Sequence, residues 1–370
     1  MRIALQEVAE RIDSAVREGD TVARLGGDEF TLLLSGVARA EDAAKVAEKI
    51  LESLRQPIRI DGQELFITAS VGISLYPDDG VDPETLVRNA DAAMYRAKDQ
   101  GRDAYQLYAA AMNETAMERL ALENSLRTVL ARGELVLYYQ PLLDLATGRI
   151  YGVEALLRWQ RPGKGIVLPD EFIPVAEVTG AIVPIGPWVW RTACEQVRRW
   201  QTNGQSDLRL AVNLSARQFQ QPDVAAQVMR ALEETGFQPE RLDLEITESY
   251  AMQNPEAAIQ TLRELKSLGV GLSIDDFGVG HSSLSYLKRL PIDTLKIDRS
   301  FIRDLTTDPD DAAIVTAVLA MARTLKLTVV AEGVETEEQR AFLVAGGCDR
   351  AQGWLFSKAV PPEECERLLR

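Results

Sequence analysis

From Leu135 onward one pattern recurs eight times: a short apolar run that carries a polar residue, then an amphipathic stretch. The runs are Leu135–Gln140, Ile150–Leu157, Leu208–Leu214, Leu242–Thr247, Val270–Asp275, Thr294–Asp298, Thr328–Glu332 and Ala351–Phe356. Apolar strands alternating with helices imply an α/β fold with a mainly parallel sheet covered by helices, and eight such units imply a (β/α)8 barrel of the TIM type. In most of the runs the polar residue stands at or near the C-terminal end: Gln140, Glu154, Asn213, Glu245, Asp275 with Asp276, Lys296, Glu332 and Gln352. Catalytic groups of such barrels collect at that face, so these side chains are expected to converge.

Five carboxylates in one pocket, Glu154, Glu245, Asp275, Asp276 and Glu332, cannot all stay ionised without neighbouring cations. Divalent metals are the simplest source, and a set of oxygen donors that includes the Asn213 amide favours Mg²⁺ or Mn²⁺ over Zn²⁺. The adjacent Asp275 and Asp276 suit a pair of ions, an arrangement that clamps a phosphodiester for in-line attack. Arg158, four residues beyond Glu154, can grip a phosphate oxygen. Glycoside hydrolysis is the competing chemistry, but it needs two carboxylates rather than five acids beside Lys296.

Composition narrows the field. Forty-one Lys and Arg against 56 Asp and Glu leave a net charge of −15, which repels duplex nucleic acid. His281 is the only histidine, and Cys194, Cys348 and Cys365 show no paired spacing, so a His/Cys zinc site and a His-based triad are not expected. The cysteines read as reduced thiols of a cytoplasmic protein, and no apolar run is long enough for a membrane span.

Residues 1–108 read as a separate α+β domain. An amphipathic start, Ile3 to Val16, leads into β-rich runs at Thr21–Leu25 and Phe30–Leu34, joined across Gly26-Gly27-Asp28-Glu29. A helix is expected over Glu41–Leu54, then a hairpin of Ile58–Ile60 with Glu64–Leu75 turned at Asp61-Gly62. A second helix opens at Asp82-Pro83-Glu84 and ends near Gly101. Residues 109–120 are expected to connect to a barrel over 121–370, with helical spacing from Asn113 to about Arg132.

The barrel residues resemble the EAL domain family. The resemblance rests on an ordered series: Tyr139-Gln140-Pro141, Glu154-Ala155-Leu156-Leu157-Arg158-Trp159, Val212-Asn213-Leu214-Ser215, Glu245-Ile246-Thr247-Glu248, Asp275-Asp276-Phe277-Gly278, Lys296-Ile297-Asp298, Ala331-Glu332-Gly333-Val334-Glu335 and Gln352-Gly353-Trp354. It implies hydrolysis of cyclic di-GMP to linear pGpG. It makes Glu154, Asn213, Glu245, Asp275 and Asp276 ligands of two Mg²⁺ or Mn²⁺ ions, and Glu154, Lys296 and Glu332 catalytic, with either Glu332 or Lys296 handling the proton. Gln140, Arg158, Asp298, Glu335 and Gln352 would meet substrate, Glu248 would brace the loop after Asp276, and a homodimer is implied. Val279 and His281 in that loop, and Ala359 near the end, depart from the family's commonest residues without touching the ligands. His281 reads as a loop packing residue. The alternative within the resemblance is a receptor that binds cyclic di-GMP without cutting it.

Arg24-Leu25-Gly26-Gly27-Asp28-Glu29-Phe30 resembles the signature hairpin of GGDEF diguanylate cyclases. Val71-Gly72-Ile73-Ser74, Ala90 to Tyr95 and Ala97 to Arg102 add to the likeness, with Lys98 and Arg102 reaching for phosphates. The family's first strand, with a metal-binding Asp, and its guanine-reading segment have no counterpart here. This domain is therefore expected to be regulatory and not a cyclase as written. Arg17 and Asp20 fit the family's Arg-x-x-Asp inhibitory site for cyclic di-GMP.

Overall fold

A computed structural model describes residues 2–37, 39–60, 63–109, 121–279 and 284–370, which fall into two compact units, 1–121 and 122–370. The expected turn at Asp61-Gly62, connector residues 110–120, and His281 lie outside the described residues.

In the first unit, helix α1 (Arg2–Ala15) and helix α2 (Ala40–Arg55) bury Ile12, Ala15, Ile50 and Leu54 against one another. Strands β1 (Thr21–Gly26) and β2 (Glu29–Leu33) form the expected hairpin, and Gly27 takes a left-handed φ of 54° that an L side chain adopts reluctantly. A cavity of about 720 Å³ opens between α1 and this hairpin, lined by Leu5, Ala9, Val22 and Phe30 among others. The run expected as one strand from Glu64 to Leu75 is two. Strand β4 (Gln63–Leu65) pairs with β3 (Ile58–Ile60), whereas β5 (Ser70–Ile73) pairs in parallel with β6 (Ala104–Leu107). Helix α3 (Pro83–Asp99) begins as read, with the Asp82 carboxylate accepting the Thr85 N–H at 2.8 Å. Gly72 lies so close under this helix that a Cβ would fall 1.9 Å from the Ala90 carbonyl oxygen.

The second unit is a closed barrel of eight strands. They are β7 (Leu135–Asp144), β8 (Ile150–Arg161), β10 (Arg209–Asn213), β11 (Leu242–Thr247), β12 (Gly271–Phe277), β13 (Thr294–Ile297), β14 (Thr328–Ala331) and β15 (Arg350–Ala351), with β9 (Gly165–Val167) appended to β8. Alternation explains how apolar strands carry polar groups inward. Leu244, Ile246, Leu272, Ile274, Leu295 and Ile297 are fully buried beneath the helices. The intervening residues share a register row across the interior, Asn213 beside Glu245, Glu245 beside Ser273 and Ser273 beside Thr294. In helix Ile182–Thr202, Ile185, Val189, Ala193, Val197 and Trp200 pack on the barrel at helical spacing.

Three expectations need correction. Strand β7 runs antiparallel to both of its neighbours, β8 and β15. The linker from Asp144 to Ile150 is too short for a crossover helix, and it closes as a tight turn in which Asp144 accepts the Thr147 N–H at 2.8 Å. Gln140 and Glu154 are therefore mid-strand residues placed side by side by hairpin register, not strand-end residues. The last run, expected over Ala351–Phe356, is a strand only at Arg350–Ala351. Beyond it the chain turns onto Val334, where a Cβ on Gly353 would meet the Val334 carbonyl oxygen at 2.1 Å. The helical spacing expected to reach Arg132 ends at Leu126, and the chain continues in turns.

Candidate active site

The site is built around a buried cation. Lys296, 1% exposed on β13, points its ammonium into the barrel mouth. Its Nζ lies 2.6 Å from Glu332, 2.8 Å from Glu245, 3.5 Å from Asp275 and 3.8 Å from Glu154. Four strands and the loop after β14 thus deliver one lysine and four carboxylates to a single point.

Amides complete the ring. The Asn213 side chain donates to one Glu154 oxygen at 2.6 Å, and Gln352 donates to the other at 2.7 Å. Gln352 also donates to Gln140 Oε1 at 2.9 Å, and Gln140 donates to the Ser357 carbonyl at 3.0 Å. Among the described residues the buried Gln352 Oε1 atom has no hydrogen-bond partner, which leaves an acceptor for a ligand or water.

Asp276 follows Asp275 with a left-handed φ of 53°, and its own N–H returns to Asp275 Oδ1 at 2.9 Å. This kink turns the second carboxylate to the same side as the first. Asp275, Asp276 and Glu332 can each bring one oxygen within 4.8 Å of the others, close enough to share an ion. The Glu248 carboxylate accepts the Gly278 N–H at 2.8 Å, tying the start of the loop after β12 to the helix Glu248–Gln253 that follows β11.

Electrostatics report an excess of negative charge. Burial, followed by the repulsion of Asp275 and Glu154, lifts the Glu332 carboxyl to about 8 despite Lys296 beside it. Burial and then Asp275 raise Asp276 to about 6. Burial also pushes Glu245 well above the ordinary carboxylate range. For Lys296 burial works against the charge, but the four surrounding carboxylates outweigh it and hold the ammonium protonated. One lysine does not neutralise this cluster, and the oxygen-rich donors fit hard divalent ions.

A stability consequence follows. Carboxyls raised in the folded state stabilise it below their unfolded pKa, and that contribution is lost as pH rises through the folded value. Metal-free protein should therefore melt at a lower temperature near pH 8 than near pH 5, and added Mn²⁺ should restore more at the higher pH. Melting curves with EDTA and with Mn²⁺ test this; a metal effect that does not grow with pH would refute it.

The remaining expected residues are more dispersed. Arg158 is half-buried, donates to its neighbour Leu157 at 2.8 Å and stacks 5.6 Å over the Tyr138 ring. Asp298 caps the helix Arg299–Arg303 by accepting the Ser300 N–H at 2.9 Å. Glu335 is exposed beside the Glu332 loop. In the first unit Asp28 sits with Gly27 in the hairpin turn, Glu29 opens β2, and Arg24 donates to the Gly27 carbonyl at 3.0 Å. Burial and then Glu29 raise the Asp91 carboxyl. Asp20 is spent on its own backbone, accepting Ser35 N at 2.9 Å and Arg17 N at 3.2 Å, while 62% of the Arg17 side chain stays exposed. Sequence reading assigned no role to Trp354 and Lys358 at the rim, although Trp354 lies only two residues beyond Gln352.

A family model described as "EAL domain" matches residues 123–359. The chain belongs to the EAL domain family. A second model, "Diguanylate cyclase, GGDEF domain", matches residues 3–104. Among curated proteins the chain is 51% identical over 362 residues to "Bifunctional diguanylate cyclase/cyclic di-GMP phosphodiesterase MucR" of Pseudomonas aeruginosa, covering 98% of this chain and 53% of that protein. It is 40% identical to "Cyclic di-GMP phosphodiesterase PdeR" of Escherichia coli, with 98% of this chain and 54% of that protein covered. The chain thus spans about half the length of these curated relatives. Among solved structures, "PaMucR Phosphodiesterase, c-di-GMP complex" is similar at 50% identity and a TM-score of 0.65, covering 66% of this chain and 99% of that one. Among the described residues no helix is long and apolar enough to cross a membrane.

Proposed function

We propose that the EAL barrel hydrolyses cyclic di-GMP to linear 5′-pGpG using two divalent ions, Mg²⁺ or Mn²⁺. The observation that carries the reading is the cluster of Glu154, Glu245, Asp275 and Glu332 within 4 Å of Lys296, with Asp276 turned toward it. Names of the relatives point the same way.

Glu154, Asn213, Glu245, Asp275 and Asp276 would hold the ions. Bound there, the ions would neutralise the phosphodiester and lower the cost of ionising water. Water's oxygen forms the new bond to phosphorus, the bond from phosphorus to the 3′ oxygen breaks, and the proton that water gives up is returned to that oxygen by way of Glu332 and Lys296. Glu332, 2.6 Å from Lys296, is placed to accept the water's proton, and Lys296 can steady or relay it. Arg158 would hold a phosphate oxygen, Gln140 and the free Gln352 acceptor would orient substrate or water, and Asp298 and Glu335 would meet the nucleotide.

The same proposal gives the first unit a regulatory part. Arg17 supports it, since its guanidinium, though it donates to the Ser35 carbonyl and lies 3.6 Å from Asp20, belongs to a side chain that is 62% exposed and within reach of a phosphate.

Incubation of the chain with cyclic di-GMP and Mg²⁺, followed by chromatography, tests the main reading. Accumulation of pGpG, abolished by EDTA, is expected. Cyclic di-GMP bound tightly and recovered intact would instead make the barrel a receptor.

A further inference from the structure

Four of the five tryptophans, Trp159, Trp188, Trp190 and Trp200, are buried or half-buried in the barrel wall. Trp354 is 61% exposed, and exposing a large aromatic ring forgoes the burial that normally justifies it. The ring is nevertheless not carried on a loose segment. Gln352 accepts the Val334 N–H at 3.0 Å, Leu355 N donates to the Val334 carbonyl at 3.0 Å, and Gly353 packs against that backbone too tightly for a Cβ. Phe356 N and Ser357 N both return to the Gly353 carbonyl at 3.1 Å, closing a turn around Trp354.

Both ends of that turn are tied to the site. Gln352 donates to Glu154 and Gln140, and Ser357 accepts from Gln140. Trp354 therefore stands at the rim, at a position set by the same hydrogen bonds that orient the candidate ligands. Lys358 places Nζ 4.5 Å from the ring centroid, covering one face with a cation. With 61% of Trp354 still exposed, the ring has area left for a flat aromatic partner.

We infer that Trp354, backed by Lys358, is a stacking platform for one guanine of the cyclic dinucleotide. This rests on the proposed function. Trp354 touches a base rather than the reacting phosphate, so it sets affinity and leaves the chemical step alone. Stacking of a base on an aromatic side chain accounts for about a tenfold change in affinity or more.

Steady-state kinetics of Trp354→Ala and Trp354→Phe with cyclic di-GMP and Mg²⁺ test it. Trp354→Ala should raise KM about tenfold with kcat within about twofold, and Trp354→Phe should recover most of the loss. Unchanged KM in the alanine variant would overturn the inference, as would a fall in kcat at constant KM, the mark of a disturbed Gln352. Should the wild-type chain turn over no substrate, the proposed hydrolysis fails on its own. Tryptophan fluorescence then decides: quenching by cyclic di-GMP that disappears in Trp354→Phe supports the platform, and quenching that persists removes it.

Discussion

Replacing Glu154 by glutamine should lower cyclic di-GMP hydrolysis by about a thousandfold or more while the barrel still folds. Loss of a group that merely supports a metal ligand typically costs about 10- to 100-fold, and Glu154 is a candidate ligand itself. Both of its oxygens already accept amide donors, from Asn213 at 2.6 Å and Gln352 at 2.7 Å. A glutamine NH₂ would confront one of those donors with another, so the ring of amides loses a hydrogen bond as well as a charge. Stability should change little, because removing one acid also relieves repulsion among Glu245, Asp275 and Glu332. Product chromatography and a melting curve on the same sample check both halves. Turnover within tenfold of wild type would show that the site works without this carboxylate.

The Lys296→Met variant should suffer in the opposite proportion. Methionine keeps the bulk but withdraws the cation that, among the described residues, lies 2.6 to 3.8 Å from all four carboxylates. Removing one partner of a buried ion pair costs about 3–5 kcal/mol, which in a unit of this size is on the order of 10 °C in melting temperature. Divalent cations should recover much of that stability, and more of it than they add to the wild-type chain, since they replace the missing positive charge. Turnover should stay at least about a hundredfold down, because the restored charge does not restore a proton-carrying group beside Glu332. Equal melting of variant and wild type in EDTA would mean that the carboxylates take up protons instead and that the lysine is not what holds them together.

Much of the barrel was legible because two independent patterns coincided. Apolar periodicity marked Leu242–Thr247 and Thr294–Asp298 as strands, the second of which ends at Ile297, and the polar residues inside them, Glu245 and Lys296, marked the inward face. What misled was the reading of Leu135–Gln140 as a strand that ends on its polar residue, in a sheet taken as mainly parallel. Gln140 and Glu154 reach the site through an antiparallel hairpin, and the tight turn at Asp144-Leu145-Ala146-Thr147-Gly148 was the visible sign of it. Ala351–Phe356 looked like a strand because its composition is apolar, but the contact of Gly353 with Val334 is tertiary and leaves no local trace. The same holds for Trp354: composition distinguishes neither an exposed tryptophan from a buried one nor its pairing with Lys358. In the first unit the run from Glu64 to Leu75 is uniformly β-prone, and only its pairing partners divide it.

The left-handed backbone at Asp276 sets two pressures on one position. Aspartate tolerates φ of 53° better than most residues, yet glycine would sit there at no steric cost, a difference on the order of 1 kcal/mol. A search for thermostable variants of this chain, scored on folding alone, would be drawn to glycine at 276 and would discard the carboxylate that makes the adjacent acid pair. Improvement of the scaffold is therefore better sought far from this kink, because here the less comfortable residue is the one the chemistry requires.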